Sequence, residues 1–285
     1  MSRITLENRG IVHIHGPDAE TLLQDVITCD LLSLEPGVAR QGALLTPQGK
    51  IMFDFLVSRY GEDGFRFDID RVALGDFVKR MTMYKLRAKV FIEHKDSESV
   101  TAVWNEETPQ NSLADERFAQ DSGVYRLYGE AGGETASLLD YDNLRIDYGV
   151  AEAGRDYETG DAFPHDALMD LNRGVSFKKG CFVGQEVVSR MQHRGTARRR
   201  VMRVLADADL PETGSAITIG DKPVGTLGSV AGARALAIVR TDRVASALGE
   251  DAALLAGDVP VRLVFPGWTG LMLAQGEQES GSATQ

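Results

Sequence analysis

The sequence predicts an α+β protein of split βαβ (ferredoxin-like) layers followed by a small C-terminal β-barrel. Three observations carry that expectation. The first 95 residues alternate strand and helix periods in the order strand, helix, antiparallel strands, helix, strand. From about Val201 the chain becomes short apolar strands separated by Gly and Pro turns. The chain has 285 residues and is 43% hydrophobic and 26% charged, the composition of a globular protein of two or three packed units.

The elements follow in order. Val12 and Ile14 alternate with His13 and His15, which predicts a half-buried strand with both histidines facing solvent. Gly16-Pro17-Asp18 opens a helix with Pro17 at its first position. Ala19, Leu22, Leu23, Val26 and Ile27 share one helical face, and Cys29 follows with no cation beside it in sequence. Residues 43–45 and 51–57 flank the turn Thr46-Pro47-Gln48-Gly49 and predict a hairpin. Phe65, Phe67 and Ile69 predict a strand; Leu74, Phe77, Val78 and Met81 a second helix; residues 90–92 a closing strand. Residues 95–143 are less periodic, with strands expected at 100–104 and 124–128. Further strands are expected at 216–219, 224–227, 235–240 and 261–265. The domains are therefore expected at 1–95, 96–198 and 199–272, with a polar, disordered tail at 273–285.

Composition excludes several functions. No apolar run approaches the roughly 18 residues of a membrane span, and the N-terminus has no apolar signal core. The net charge of −11 argues against a broad nucleic-acid footprint, so direct nucleic-acid binding is not expected. Two cysteines form no disulfide framework and supply no metal cage alone, which predicts a reducing, cytoplasmic setting and no resident metal. No glycine loop of a nucleotide-binding type appears. No apolar stripe demands a dimer, and a monomer is expected.

The most informative stretch runs Phe177-Lys178-Lys179-Gly180-Cys181-Phe182-Val183-Gly184-Gln185-Glu186-Val187-Val188-Ser189-Arg190. Val187, Val188 and Met191 have helical spacing, so a helix is expected to begin near Gly184, with Cys181 just before it. Helix N-termini and neighbouring cations such as Lys178 and Lys179 favour thiolate over thiol. By itself this allows either an exposed, reactive or metal-binding sulfur, or a small residue buried at a tight turn. Gln185 and Glu186 fall in the first helical turn, where Glu suits the helix dipole. Arg190, His193, Arg194, Arg198, Arg199 and Arg200 form a basic cluster in an acidic chain. Its reading stays open between pairing with local acids, a polyanionic ligand tail, an acidic partner and an RNA phosphate.

The run 179–186 resembles the signature of the YgfZ family of folate-binding proteins, related to the glycine cleavage T-protein, a folate-dependent aminomethyltransferase. Weaker resemblances extend over about residues 4–270, including 16–24, 45–51, 84–90, 144–149, 163–165 and 237–240. The resemblance implies a T-protein-like ring of three domains around a folate opening. It also implies a role in making or repairing iron–sulfur clusters of client enzymes, tRNA-modifying ones included. Cys181, Lys179, Gln185, Glu186 and Arg190 are then the reacting group and its neighbours, with Gln185 and Glu186 lining the opening. The relatives' acidic residue for the pterin edge follows an Arg and one apolar residue; here that is Arg145-Ile146-Asp147, which assigns Asp147, with Tyr141 placed to stack on the ring and Arg145 and Asp54 counted as cofactor-binding with them. The implied cofactor is tetrahydrofolate. One cysteine cannot hold a cluster, so any cluster is transient and shared with an iron–sulfur client or carrier protein. Two alternatives remain. A folate-dependent transferase would use a pair of adjacent acids in the hairpin's second strand, but here that pair reads Phe53-Asp54. A non-catalytic, folate-sensing adaptor would not need Cys181.

Overall fold

A computed structural model describes residues 2–273 except 106, 120–121, 130–131 and 249–251. Most of the expected tail lies outside the described residues.

The N-terminal strands are β1 (Ser2–Thr5), β2 (Arg9–His15), β3 (Val38–Leu45), β4 (Ile51–Tyr60), β5 (Gly64–Asp70) and β6 (Phe91–His94), with helices α1 (Ala19–Val26) and α2 (Leu74–Lys85) between them. Strands β7 (Ser99–Trp104), β8 (Leu113–Asp115) and β9 (Tyr125–Gly129) follow. Together they make one nine-stranded sheet in the order β1-β7-β9-β8-β3-β4-β5-β2-β6. The join is a short parallel pairing of β3 with β8, Val38 opposite Ala114. The sheet crosses residue 95, because β1 pairs antiparallel with β7.

Helix α1 buries Ala19, Leu23 and Val26, and α2 buries Leu74, Phe77 and Met81, against a core containing Phe53, Phe55, Phe65 and Phe67. Helix α1 starts at Ala19, so Pro17 precedes it. Asp18 stands at the N-cap without capping; its carboxylate accepts the Lys89 amide instead, at 2.7 Å. The expectation that His13 faces solvent is overturned. β2 lies between β5 and β6, and His13 is 1% exposed, its ring tilted against Tyr60 at 3.8 Å between centroids and its Nε2 3.2 Å from Glu98. Tyr60 and Glu98 roof over what alternation marks as a wet face.

Helix α3 (Leu138–Tyr148) was not expected. Its signals are terminal: a capping box between Ser137 and Asp140, and Gly149 in the left-handed region at φ 72. A Cβ on Gly149 would lie 2.1 Å from Pro266, so glycine also permits a close chain contact. Helix α4 (Gln185–Arg194) begins at Gly184, as its spacing predicts.

The C-terminal part is a closed barrel. Its strands β10 (Arg199–Ala206), β11 (Ala216–Ile219), β12 (Lys222–Ala231), β13 (Arg234–Arg240), β14 (Leu254–Ala256) and β15 (Val259–Val264) run in the order β10-β13-β12-β11-β14-β15. Helix α5 (Thr241–Leu248) follows β13. Closure removes free sheet edges and encloses Val204, Ile217, Leu227 and Val239.

Candidate functional site

Residues 172–184 run alongside β3 and hold Cys181 at the surface. Asn172 donates to Gln41 Oε1 at 2.7 Å. Thr28 Oγ1 donates to the Gly174 carbonyl at 2.7 Å, and the Ser176 amide donates to the Thr28 carbonyl at 2.9 Å. Lys179 Nζ donates to the carbonyls of Ile27 and Cys29 at 2.8 and 2.9 Å. Gly184 then backs onto the hairpin turn: at φ +79, an added Cβ would lie 2.5 Å from the Thr46 carbonyl oxygen. Phe182 is buried beside these anchors, and Cys181 is exposed. The loop is thus pinned from both sides while its sulfur faces solvent.

The neighbours divide. Lys179 is spent on the platform at the end of α1 rather than aimed outward, and burial lowers its pKa. Gln185 donates to the Gly180 carbonyl at 3.4 Å, inside the cysteine loop. Glu186 is exposed and pairs with Arg190 at 2.6 Å, one helical turn on. Cys29 is fully buried; burial pushes its thiol up to about 12 despite nearby Lys179 and Arg40. Those two cations, distant in sequence, correct the reading of Cys29 as lacking them.

The four residues assigned to a folate lie apart from that loop. Tyr141 and Arg145 sit on the buried face of α3 in a closed charge network. Arg145 donates to Asp156 at 2.8 Å, Asp142 at 3.0 Å and Ser229 at 2.6 Å. Tyr141 Oη accepts from Arg117 at 3.1 Å and Arg126 at 2.6 Å. Arg117 also binds Asp115 and Glu152, Arg126 binds Asp115, and Arg9 binds Asp68. Burial alone would lift Glu152, but Arg145, Arg117 and Arg9 outweigh it and hold the carboxyl far below its usual range. Asp54 is buried with Tyr157 Oη at 2.9 Å and the Ala153 amide at 3.4 Å, and burial raises its pKa. Tyr141 is therefore corrected from a stacking platform to a buried acceptor, its ring packed beside Trp104. Asp147 is corrected too. It accepts from Arg203 and Arg234 at 2.9 Å each, tying α3 to the barrel.

The open space lies beside the network. A cavity of about 740 Å³ is lined by Asp115, Arg117, Phe118, Asn172, Arg173 and Trp268, among others. Its size suits a small-molecule ligand. Trp268, oriented by its 2.7 Å bond to the Tyr148 carbonyl, supplies an aromatic face. Arg173, mostly exposed and 3.0 Å from Glu116, supplies a cation at the rim. Arg173 and Leu168 hold φ of 68° and 61°, a backbone region non-glycine residues rarely adopt. An aromatic face with a cation at the rim has the chemistry a pterin with an anionic tail would need. Trp268 is one of two tryptophans in the sequence, and no local pattern there joins it to Arg117 and Arg173. The basic cluster also divides: Arg199 pairs with Asp161 and Asp166, and Arg200 with Asp170, whereas His193, Arg194 and Arg198 are exposed and have no acidic partner among the described residues. Among the described residues no group of three or more His, Cys, Asp or Glu side chains is arranged to hold a metal.

Comparison with known proteins adds the following. The GCVT N-terminal domain family matches residues 5–103, and the CAF17 C-terminal β-barrel domain family matches residues 198–271. The chain is 28% identical over 277 residues to the mitochondrial iron-sulfur cluster assembly factor IBA57 of Mus musculus, covering 84% of this chain and 77% of that one. It is 28% identical over 221 residues to the mitochondrial IBA57 homolog of Mycosarcoma maydis, covering 68% of this chain but only 55% of that protein. The chain thus spans about half the length of that fungal relative. The crystal structure of glycine cleavage system aminomethyltransferase T from Bartonella henselae superposes with a TM-score of 0.73 at 17% identity, over 93% of this chain and 85% of that one. That likeness establishes the T-protein-like α+β fold. The expectation of a cytoplasmic setting is corrected, because these relatives are named as mitochondrial proteins and point away from it.

Proposed function

We propose that this chain, as a member of the CAF17/IBA57 family related to the glycine cleavage T-protein, assists assembly or repair of iron–sulfur clusters in client proteins through the Cys181 sulfur. One observation carries this reading: the chain has two cysteines, and the exposed one sits on a loop pinned to the end of α1 and the hairpin turn, while Cys29 is sealed in the core. On binding iron the sulfur gives up its proton and contributes one thiolate. Cluster sites usually need four ligands, so the remaining ones come from a client or carrier protein, with this chain acting as a monomer. Gln185 steadies the loop through Gly180, and the Glu186–Arg190 pair edges the surface that a partner must cover.

A reduced folate fits the cavity beside the charge network. Trp268 would hold the pterin face, and Arg173 at the rim would hold the tail. Bound, it supplies an oxidisable pterin ring. We propose the units 1–95, 96–198 and 199–272 as the three segments of the ring, with β1 of the first paired to β7 of the second.

The test is the activity of a [4Fe–4S] tRNA methylthiotransferase in cells lacking this protein, complemented with wild type or Cys181→Ala. Restoration by wild type alone is the expected outcome. Equal restoration by both would favour the adaptor reading. A transferase reading would rest on Asp54, but Phe53 stands where the second acid belongs, and Asp54 is engaged by Tyr157. Asp54→Asn is therefore expected to leave complementation intact.

A further inference from the structure

The end of α2, the turn at 86–90 and the start of β6 carry a surface that the cysteine site does not use. Between residues 74 and 90 the sequence holds Lys79, Arg80, Lys85, Arg87 and Lys89 against the single acid Asp76, in a chain whose net charge is −11. Among the described residues none of these five cations has an ion-pair partner; the Lys85 ammonium donates to the Val90 carbonyl at 2.6 Å. The contrast with the cations of the charge network, which are matched by carboxylates, is marked.

Apolar side chains are displayed among these charges. Met83 is 60% exposed, Leu86 85% and Phe91 56%. Lys79 and Met83 stand four residues apart on α2, so they share one side of the helix, and Leu86 follows at its C-cap. Leu86 closes α2 at φ 45 and ψ −105, a conformation that favours glycine, yet it presents an isobutyl group to solvent. Sites of this kind, where strain holds an unfavourable side chain outward, concentrate at functional surfaces. Alongside lies β6, the last strand of the sheet, which pairs only with β2 and leaves its outer edge open among the described residues.

We propose that this surface docks an acidic segment of a partner protein, which adds along the open edge of β6 and seats apolar side chains against Met83, Leu86 and Phe91. Charge complementarity selects an acidic partner. The exposed apolar residues disfavour RNA, whose phosphates would leave them uncovered. The chain's overall negative charge disfavours an anionic bilayer. An extended segment with alternating acidic and apolar residues satisfies the edge hydrogen bonds and both chemistries together.

The test uses the full chain and a fluorescent peptide of alternating Glu and Val, read by anisotropy. Binding is expected to weaken with salt and to fall by roughly tenfold or more in Arg87→Glu with Lys89→Glu and in Met83→Ser with Leu86→Ser. These residues are exposed, so circular dichroism should report unchanged folding. Leu86→Gly separates docking from stability: it should raise the melting temperature by relieving the backbone while weakening the peptide. Absence of peptide binding, or binding indifferent to the charge reversal, overturns the proposal. So does tighter binding to phosphatidylserine vesicles, which would make the surface a lipid site, or to single-stranded RNA.

Discussion

Lys179 shows how one side chain can change its role between sequence and structure. Beside Cys181 it reads as an activating cation; in the fold its ammonium is shared between the Ile27 and Cys29 carbonyls. Each such bond to a charged group is worth about 1.5–3 kcal/mol. Lys179→Met should therefore loosen the cysteine loop and lower stability by about 2 kcal/mol, read by urea unfolding. It should also change the rate at which iodoacetamide labels Cys181. Arg145 carries a larger load. Removing its guanidinium leaves Asp156 and Glu152 buried without their main counter-charge, so Arg145→Met should cost about 3–5 kcal/mol in the same assay. A conservative view of Arg145 as a ligand contact would predict little change in stability.

At the scale of elements, glycine positions decide how the cysteine loop meets the hairpin. Gly184 combines a left-handed backbone with a contact too close for a Cβ. Gly184→Ala should therefore cost about 1–3 kcal/mol and displace α4 from the turn at 46–49. The measurable outcome is partial loss of complementation, between those of wild type and Cys181→Ala. Much of this was legible beforehand. The start of α4 followed from the Val187, Val188 and Met191 spacing. The hairpin and most barrel strands followed from alternation and turn residues. Helix α3 was missed because its apolar face is shared with buried Tyr141 and Arg145, so no clean stripe marks it. Asp147, one residue before the end of that helix, could be read only as an acid after an Arg and an apolar residue. Which guanidinium groups would reach it depended on the barrel folding against α3.

For the whole molecule, buried charge sets the pH response. His13 and His165 have folded pKa values lowered chiefly by burial. In that case the unfolded chain binds protons more readily, so stability present above the ordinary histidine pKa near 6.5 is lost as pH falls through it. Glu152 and Asp115 are depressed, so their stabilisation is present above the ordinary carboxylate range and is lost below it, as pH falls toward their folded values. Asp54 and Asp166, raised by burial, oppose this and regain stability on acidification. The melting temperature should thus fall in two stages, one below about pH 6.5 and a steeper one below about pH 4. His13→Gln should diminish the first stage and leave the second.

By itself, the sequence determined the α+β class, the order of the N-terminal strands and helices, the turn-punctuated barrel and the cysteine loop ahead of α4. These rest on period, turn chemistry and contiguous motifs, which are local. Only the tertiary structure decided that Cys181 is exposed while Cys29 is sealed, and that His13 is roofed over. It alone placed Asp54, Tyr141 and Arg145 inside a filled charge network and the open cavity against Trp268. Burial and the choice of counter-charge are set by residues far apart in the chain, so no local pattern carries them.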